Sequence, residues 1–91
     1  MKLQWTDKGV SDLARLHEFL SPINPKAAVQ TVRSLTAAGG KLVDNPRLGE
    51  RVDGYEPREV RRLLVGSYEM RYEIKGDTVI VLRLWHTREN R

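Results

Sequence analysis

Ninety-one residues, 40% of them hydrophobic and 31% charged, suffice for one folded domain with one core over residues 1–91, and leave no length for a second. The chain has no cysteine, which excludes disulfides, thiolate metal sites and cysteine nucleophiles; no apolar run approaches a membrane span or a signal-peptide core, so a cytoplasmic protein is expected. A formal net charge of +4 favours an acidic partner, whether nucleic acid, a nucleoprotein surface or an acidic protein segment.

Residues 2–5 (KLQW) alternate as a short strand, with Leu3 and Trp5 on one side. Thr6 reads as an N-cap and Asp7 complements the dipole of the helix that follows. Along that helix Val10, Leu13, Ala14, Leu16, His17 and Leu20 form the apolar arc, with Lys8, Asp12, Arg15 and Glu18 opposite. Ser21-Pro22-Ile23 ends it, and Asn24-Pro25 starts a second helix as N-cap and first residue. Ala28, Val32, Leu35 and Leu42 make its stripe, and Gly39 falls on the same line. The stripe carries the helix through Gly39-Gly40 to about Asp44, and Gly39 is expected to let the first helix approach closely in an antiparallel hairpin. Asn45-Pro46 stops the helix, and 46–57 reads as a loop in which Glu50, Arg51 and Asp53 are solvated charges.

The remainder reads as a meander. Its first strand covers 58–65, and Gly66-Ser67 turns the chain. Tyr68, Met70, Tyr72 and Ile74 then alternate with Glu69, Arg71 and Glu73, and Lys75-Gly76-Asp77 turns it again. Thr78–His86 is the candidate central strand, with Ile80, Leu82, Leu84 and His86 on one face and Val79, Val81, Arg83 and Trp85 on the other. The expected class is α+β, ordered β-α-α-β-β-β: a two-helix hairpin packed on one face of a largely antiparallel four-stranded sheet. The other face is partly open and carries Glu69, Arg71, Glu73, Arg83 and Trp85.

This order, with an opening strand into WTDKGVSDL, the NPKAA helix start, the loop NPRLGERVDGY and the close RRLLVGSYEMRYEIKGDTVIVLRLWHTREN, resembles the RelE/ParE toxins of bacterial type II toxin–antitoxin pairs. The resemblance spans essentially the whole chain and rests on order and spacing, since each motif is short. It implies one of two activities. RelE-like members enter the ribosomal A site and cut mRNA, whereas ParE-like members inhibit DNA gyrase. Both are neutralised by an antitoxin whose C-terminal segment wraps the toxin, and such pairs are linked with plasmid stabilisation and growth arrest.

Cutting RNA beside a 2′-hydroxyl needs a base, cations for the phosphorane charge and an acid for the leaving oxygen. If the chain is a nuclease, Arg61, Arg71, Arg83 and His86 are the candidates. The arginine that RelE-like enzymes carry after the strand tyrosine is Glu69 here, and Glu69 and Glu73 flank Arg71 and dilute its potential. No terminal aromatic is present to act as acid or to stack on a base. The ParE-like branch is therefore favoured, with Arg62, Arg71, Arg83, Trp85 and Arg88 as antitoxin- or target-binding residues and the ribosome-dependent endonuclease as the alternative. Arg61 and Arg62 point to opposite faces of one strand and read equally well as solvated charges. Arg83 is expected to grip a carboxylate of an acidic antitoxin tail, so that Arg83→Glu disturbs the complex more than Arg15→Glu does. Trp85 reads as an interface anchor or as packing under the C-terminal tail. His86 reads as an acid/base or as a cap donating to a backbone carbonyl, and His17 as a hydrogen-bonded core residue. Neither histidine has metal-ligand spacing, and no cofactor, metal, membrane contact or sequence-specific DNA binding by the toxin alone is expected.

Overall fold

A computed structural model describes residues 1–89, so the end of the polar tail, Asn90 and Arg91, lies outside the described residues. The elements run β1 (Lys2–Trp5), α1 (Asp7–Leu20), α2 (Pro25–Asp44), β2 (Glu50–Arg51), β3 (Glu59–Val65), β4 (Tyr68–Lys75) and β5 (Thr78–His86). Both helices begin at the expected caps. Thr6 Oγ1 accepts from the Gly9 N–H at 3.0 Å, and Asn24 Oδ1 accepts from the Ala27 N–H at 3.1 Å. Pro25 opens α2, and the helix runs unbroken through both glycines to Asp44.

The sheet has five strands, not four, in the order β1-β5-β4-β3-β2. The additional strand comes from the segment read as a loop: Glu50 and Arg51 pair antiparallel with Arg62 and Arg61. Two residues carry no alternation to betray a strand, and their pairing depends on a partner ten or more positions away. Tyr72, fully buried on β4, holds this segment down. Its hydroxyl donates to the Pro46 carbonyl at 2.7 Å and accepts from the Gly49 N–H at 2.9 Å. A Cβ on Gly49 would sit 2.5 Å from the Arg62 carbonyl oxygen, so only glycine fits this approach.

β1 pairs parallel with β5, Lys2 opposite Thr78 through Trp5 opposite Val81, and the other pairings are antiparallel. Beyond Trp5 the β5 edge has no strand beside it, and side chains of the α1 segment satisfy it instead. The Thr6 hydroxyl lies 3.1 and 2.9 Å from the Val81 and Leu82 carbonyls, Asp12 Oδ2 accepts from the Leu84 N–H at 2.9 Å, and Arg15 donates to the Leu84 carbonyl at 3.2 Å.

The core lies between the helices and the sheet and is built from Leu16, Leu35, Ala38, Leu42, Met70, Tyr72, Val79, Val81 and Leu84. Each large apolar side chain fully buried here contributes roughly 1.5–3 kcal/mol before the entropy of ordering it is counted.

Three expectations about facing are corrected. The packed face of α1 is Gly9, Asp12 and Leu16, so Asp12 is buried, while Val10 and Ala14 are exposed and His17 is only half-buried. Gly39 faces β1 rather than α1: a Cβ there would lie 3.4 Å from Leu3 Cδ2 and 3.6 Å from Trp5 Cζ2. On β5, Val79, Val81 and Leu84 all reach the core, against the single alternation expected. The cause is a β-bulge. Tyr72 pairs with Val81 and Arg71 with Arg83, leaving Leu82 as the extra residue, which reverses the phase of every side chain after it.

Candidate functional site: an ion-paired arginine–tryptophan face

The bulge decides what the open face carries. With Val79 and Val81 inward, unbroken alternation would have turned Arg83 and Trp85 into the core as well. The inserted Leu82 sends both to the far side, beside Arg71, which is opposite Arg83 across the β4–β5 ladder. The Arg71 and Arg83 guanidinium carbons lie 4.8 and 5.2 Å from the Trp85 ring centroid, within cation–π range. The start of α1 at residues 6–8, Tyr55 and this cluster enclose a shallow cleft of about 560 Å³. The Tyr55 hydroxyl is 3.4 Å from Arg71 Nη1, and the Arg58 guanidinium lies over the Tyr55 ring at 5.6 Å.

The face holds as many carboxylates as guanidinium groups in its principal pairs. Arg83 grips Asp12 through Nε at 2.7 Å and Nη2 at 3.3 Å. Arg71 Nη2 donates to Glu69 at 2.7 Å, Arg62 Nε to Glu50 at 2.7 Å, and Arg58 grips Glu73 bidentately at 3.2 and 2.8 Å. Glu69 and Glu73 are 1% and 8% exposed, so the arginines roof the carboxylates rather than standing clear of them. Arg71 Nε is buried with no hydrogen-bond partner among the described residues.

Burial pushes the Asp12 carboxyl up, but the Arg83 and Leu84 hydrogen bonds and the charges of Arg83 and Arg15 outweigh it and hold the group below its ordinary value. The Arg58 hydrogen bond holds Glu73 low in the same way, and that of Arg61 holds Glu59 low. Positive potential on this face is thereby largely cancelled, which is poor equipment for holding a phosphate.

The four groups that a nuclease would need do not converge. Arg71 and Arg83 are on the open face. Arg61 shares the helix-side face with Tyr72 and is committed to Glu59 and the Gly49 carbonyl, both at 2.8 Å. His86 is also on the helix side, stacked edge-on against Tyr68 with ring centroids 5.2 Å apart. Its Nδ1 accepts the Arg88 N–H at 3.1 Å, so it caps the chain end, although as an acceptor of a backbone N–H and not as the expected donor.

Of the expected binding residues, Arg62, Arg71, Arg83 and Trp85 share the open face, while Arg88 is exposed beyond β5, next to a groove formed by Arg15, Leu16 and Phe19. The carboxylate expected for Arg83 is supplied by the chain's own Asp12. Arg15 belongs to the same network, bonding Glu89 and lying 3.5 Å from Asp12, so it is no neutral reference for Arg83. Sequence reasoning missed Asp12, Tyr55 and Arg58. Asp12 alone left a signal: it lies three residues after Gly9 and four before Leu16, in register with the packed face.

The capped helix hairpin against a mixed five-stranded sheet, closed by a parallel β1–β5 pair, recurs among solved structures. A solved structure titled as the chromosomal ParDE TA system from P. aeruginosa has this fold, with a TM-score of 0.80 at 24% identity over 94% of this chain and 95% of that one. Residues 3–91 match the model of the ParE toxin of the type II toxin-antitoxin system parDE, and the chain belongs to that family. No curated protein matches the sequence.

Proposed function

We propose that this chain arrests growth by binding DNA gyrase through its open face, and that a cognate antitoxin restrains it in the cytoplasm. Family membership supports the toxin role and the antitoxin partner. One observation carries the choice of target class: the would-be nuclease groups are divided between the two faces of the sheet, with Arg61 and His86 on one and Arg71 and Arg83 on the other. A surface of guanidinium groups against indole suits a protein contact, in which Trp and Arg are favoured anchors.

The test sets a supercoiling assay beside a translation assay with purified protein. Micromolar protein is expected to block supercoiling and leave translation untouched. Trp85→Ala should weaken the block on the order of thirtyfold, the loss of one anchor of about 2 kcal/mol, and His86→Ala should not change it. Codon-positioned mRNA cuts abolished by His86→Ala, with supercoiling unaffected, would establish the ribosome-dependent endonuclease instead.

A further inference from the structure

Each cation lining the open-face cleft already has an anion beside it. Arg83 holds Asp12, Arg71 holds Glu69, and Lys8 follows Asp7, which lines the same cleft. Asp12 and Glu69 are buried, and Asp12 is bound further by the Leu84 N–H. A carboxylate arriving at either arginine would stand against one of these fixed anions, or force it into surroundings too dry to receive a bare charge. The cleft is thereby a poor seat for the acidic partner that a net charge of +4 suggests.

Hydrogen-bonding capacity is not cancelled in the same way. Asp12 occupies Nε and Nη2 of Arg83, and Arg83 Nη1 has no partner among the described residues. The Tyr55 hydroxyl accepts from Arg71 Nη1 and donates to nothing among them, and the exposed Lys8 ammonium is likewise unbonded. These three donors come from β5, the β2–β3 connection and α1, around an apolar floor of Leu82 and Trp85. Asp7 is the one carboxylate in the lining. A surface rich in donors but balanced in charge calls for acceptors that carry no charge, which in a protein are carbonyl oxygens. Donors spread over three elements suit a run of backbone carbonyls, as in an exposed loop or the last turn of a helix, better than one side-chain amide.

We infer that the cleft takes an uncharged segment of gyrase, with backbone carbonyl oxygens on Arg83 Nη1, Tyr55 and Lys8 and an apolar side chain against the floor of Leu82 and Trp85. This rests on the gyrase reading above and adds what the partner must present there. The Arg83–Asp12 and Arg71–Glu69 pairs then act as a filter. They hold the two guanidinium groups beside the indole and turn away acidic segments by placing a like charge behind each arginine.

The experiment follows dissociation of the purified chain from immobilised gyrase between about 50 and 500 mM salt, which shortens the screening length roughly threefold. Steering of a basic chain acts on association, whereas ion pairs inside a contact act on dissociation, so the off-rate reports on the cleft. It should stay within about twofold across the range. Lys8→Gln keeps a donor and removes the charge, and should dissociate within about twofold of the unaltered chain. Tyr55→Phe removes one donor and should dissociate on the order of fivefold faster. Circular dichroism checks that both variants are folded. An off-rate that rises more than about threefold with salt or in Lys8→Gln would overturn the inference in favour of an acidic segment. Tyr55→Phe with the off-rate of the unaltered chain would overturn it too. Failure of the unaltered chain to bind gyrase would instead overturn the gyrase reading beneath it.

Discussion

Asp12 joins helix to sheet more directly than any other side chain. It takes two hydrogen bonds from Arg83 and one from the Leu84 N–H, at the point where β1 has stopped and the β5 edge would otherwise be bare. Asp12→Asn keeps the shape and an acceptor for Leu84 but removes the charge that holds Arg83. A loss of about 1–3 kcal/mol is expected by denaturant unfolding, together with a weaker gyrase block, because Arg83 is no longer held against Trp85. Stability within a few tenths of the parent would show that solvent replaces the pair. Residue type was a poor guide here: a carboxylate on a helical wheel is assigned to water by default, and only its spacing with Gly9 and Leu16 says otherwise. Tyr72 was likewise readable as core, but nothing in the sequence announces that its hydroxyl secures residues 46–49.

Among the elements, both helices could be read to within a residue, because their ends are fixed by local chemistry: Thr6 and Asn24 as caps and Pro25 at the first position. The hairpin turns were equally readable, since Gly66 and Gly76 supply the positive φ that the turns require. β2 and the bulge at Leu82 were not, because both are defined by a partner strand and not by their own residues. The glycines of α2 and its following loop make a paired prediction. A Cβ on Gly40 meets nothing within 4 Å, so Gly40→Ala should stabilise by about 0.5–1 kcal/mol and raise Tm by several degrees. Gly49→Ala should destabilise, since its Cβ would strike the Arg62 carbonyl and the Tyr72 hydroxyl. Calorimetry of the two variants checks both signs.

For the molecule as a whole, stability is tied to the ionisation of paired carboxylates. Asp12, Glu59 and Glu73 all have lowered native pKa values. As pH falls the unfolded chain takes up these protons first, so their contribution is complete above the unfolded carboxyl range, about pH 4, and is lost as pH drops through the lower native values. Thermal unfolding followed by circular dichroism should give a level Tm from about pH 8 to 5 and a fall below about pH 4, with a shallower fall in Asp12→Asn. A Tm that holds or rises below pH 4 would contradict this. The same pairs limit what the basic composition says about the open face: a formal net charge of +4 counts the cations in excess, whereas only the fold shows that the two arginines stacked on Trp85 are already paired with Asp12 and Glu69.

The parallel pairing of β1 with β5 also fixes when the domain can exist. Lys2 meets Thr78 across 76 positions, and β5 is flanked on its other side by β4. A nascent chain therefore holds its opening segment idle until almost everything after it has been translated, and a product broken off within β5 strands two ladders at once. High contact order of this kind slows folding, and a single domain of this size usually folds close to all-or-none. A copy cut short within β5 is then expected to lack the paired strands on which the Arg71, Arg83 and Trp85 surface is built, and to offer no folded face to any partner.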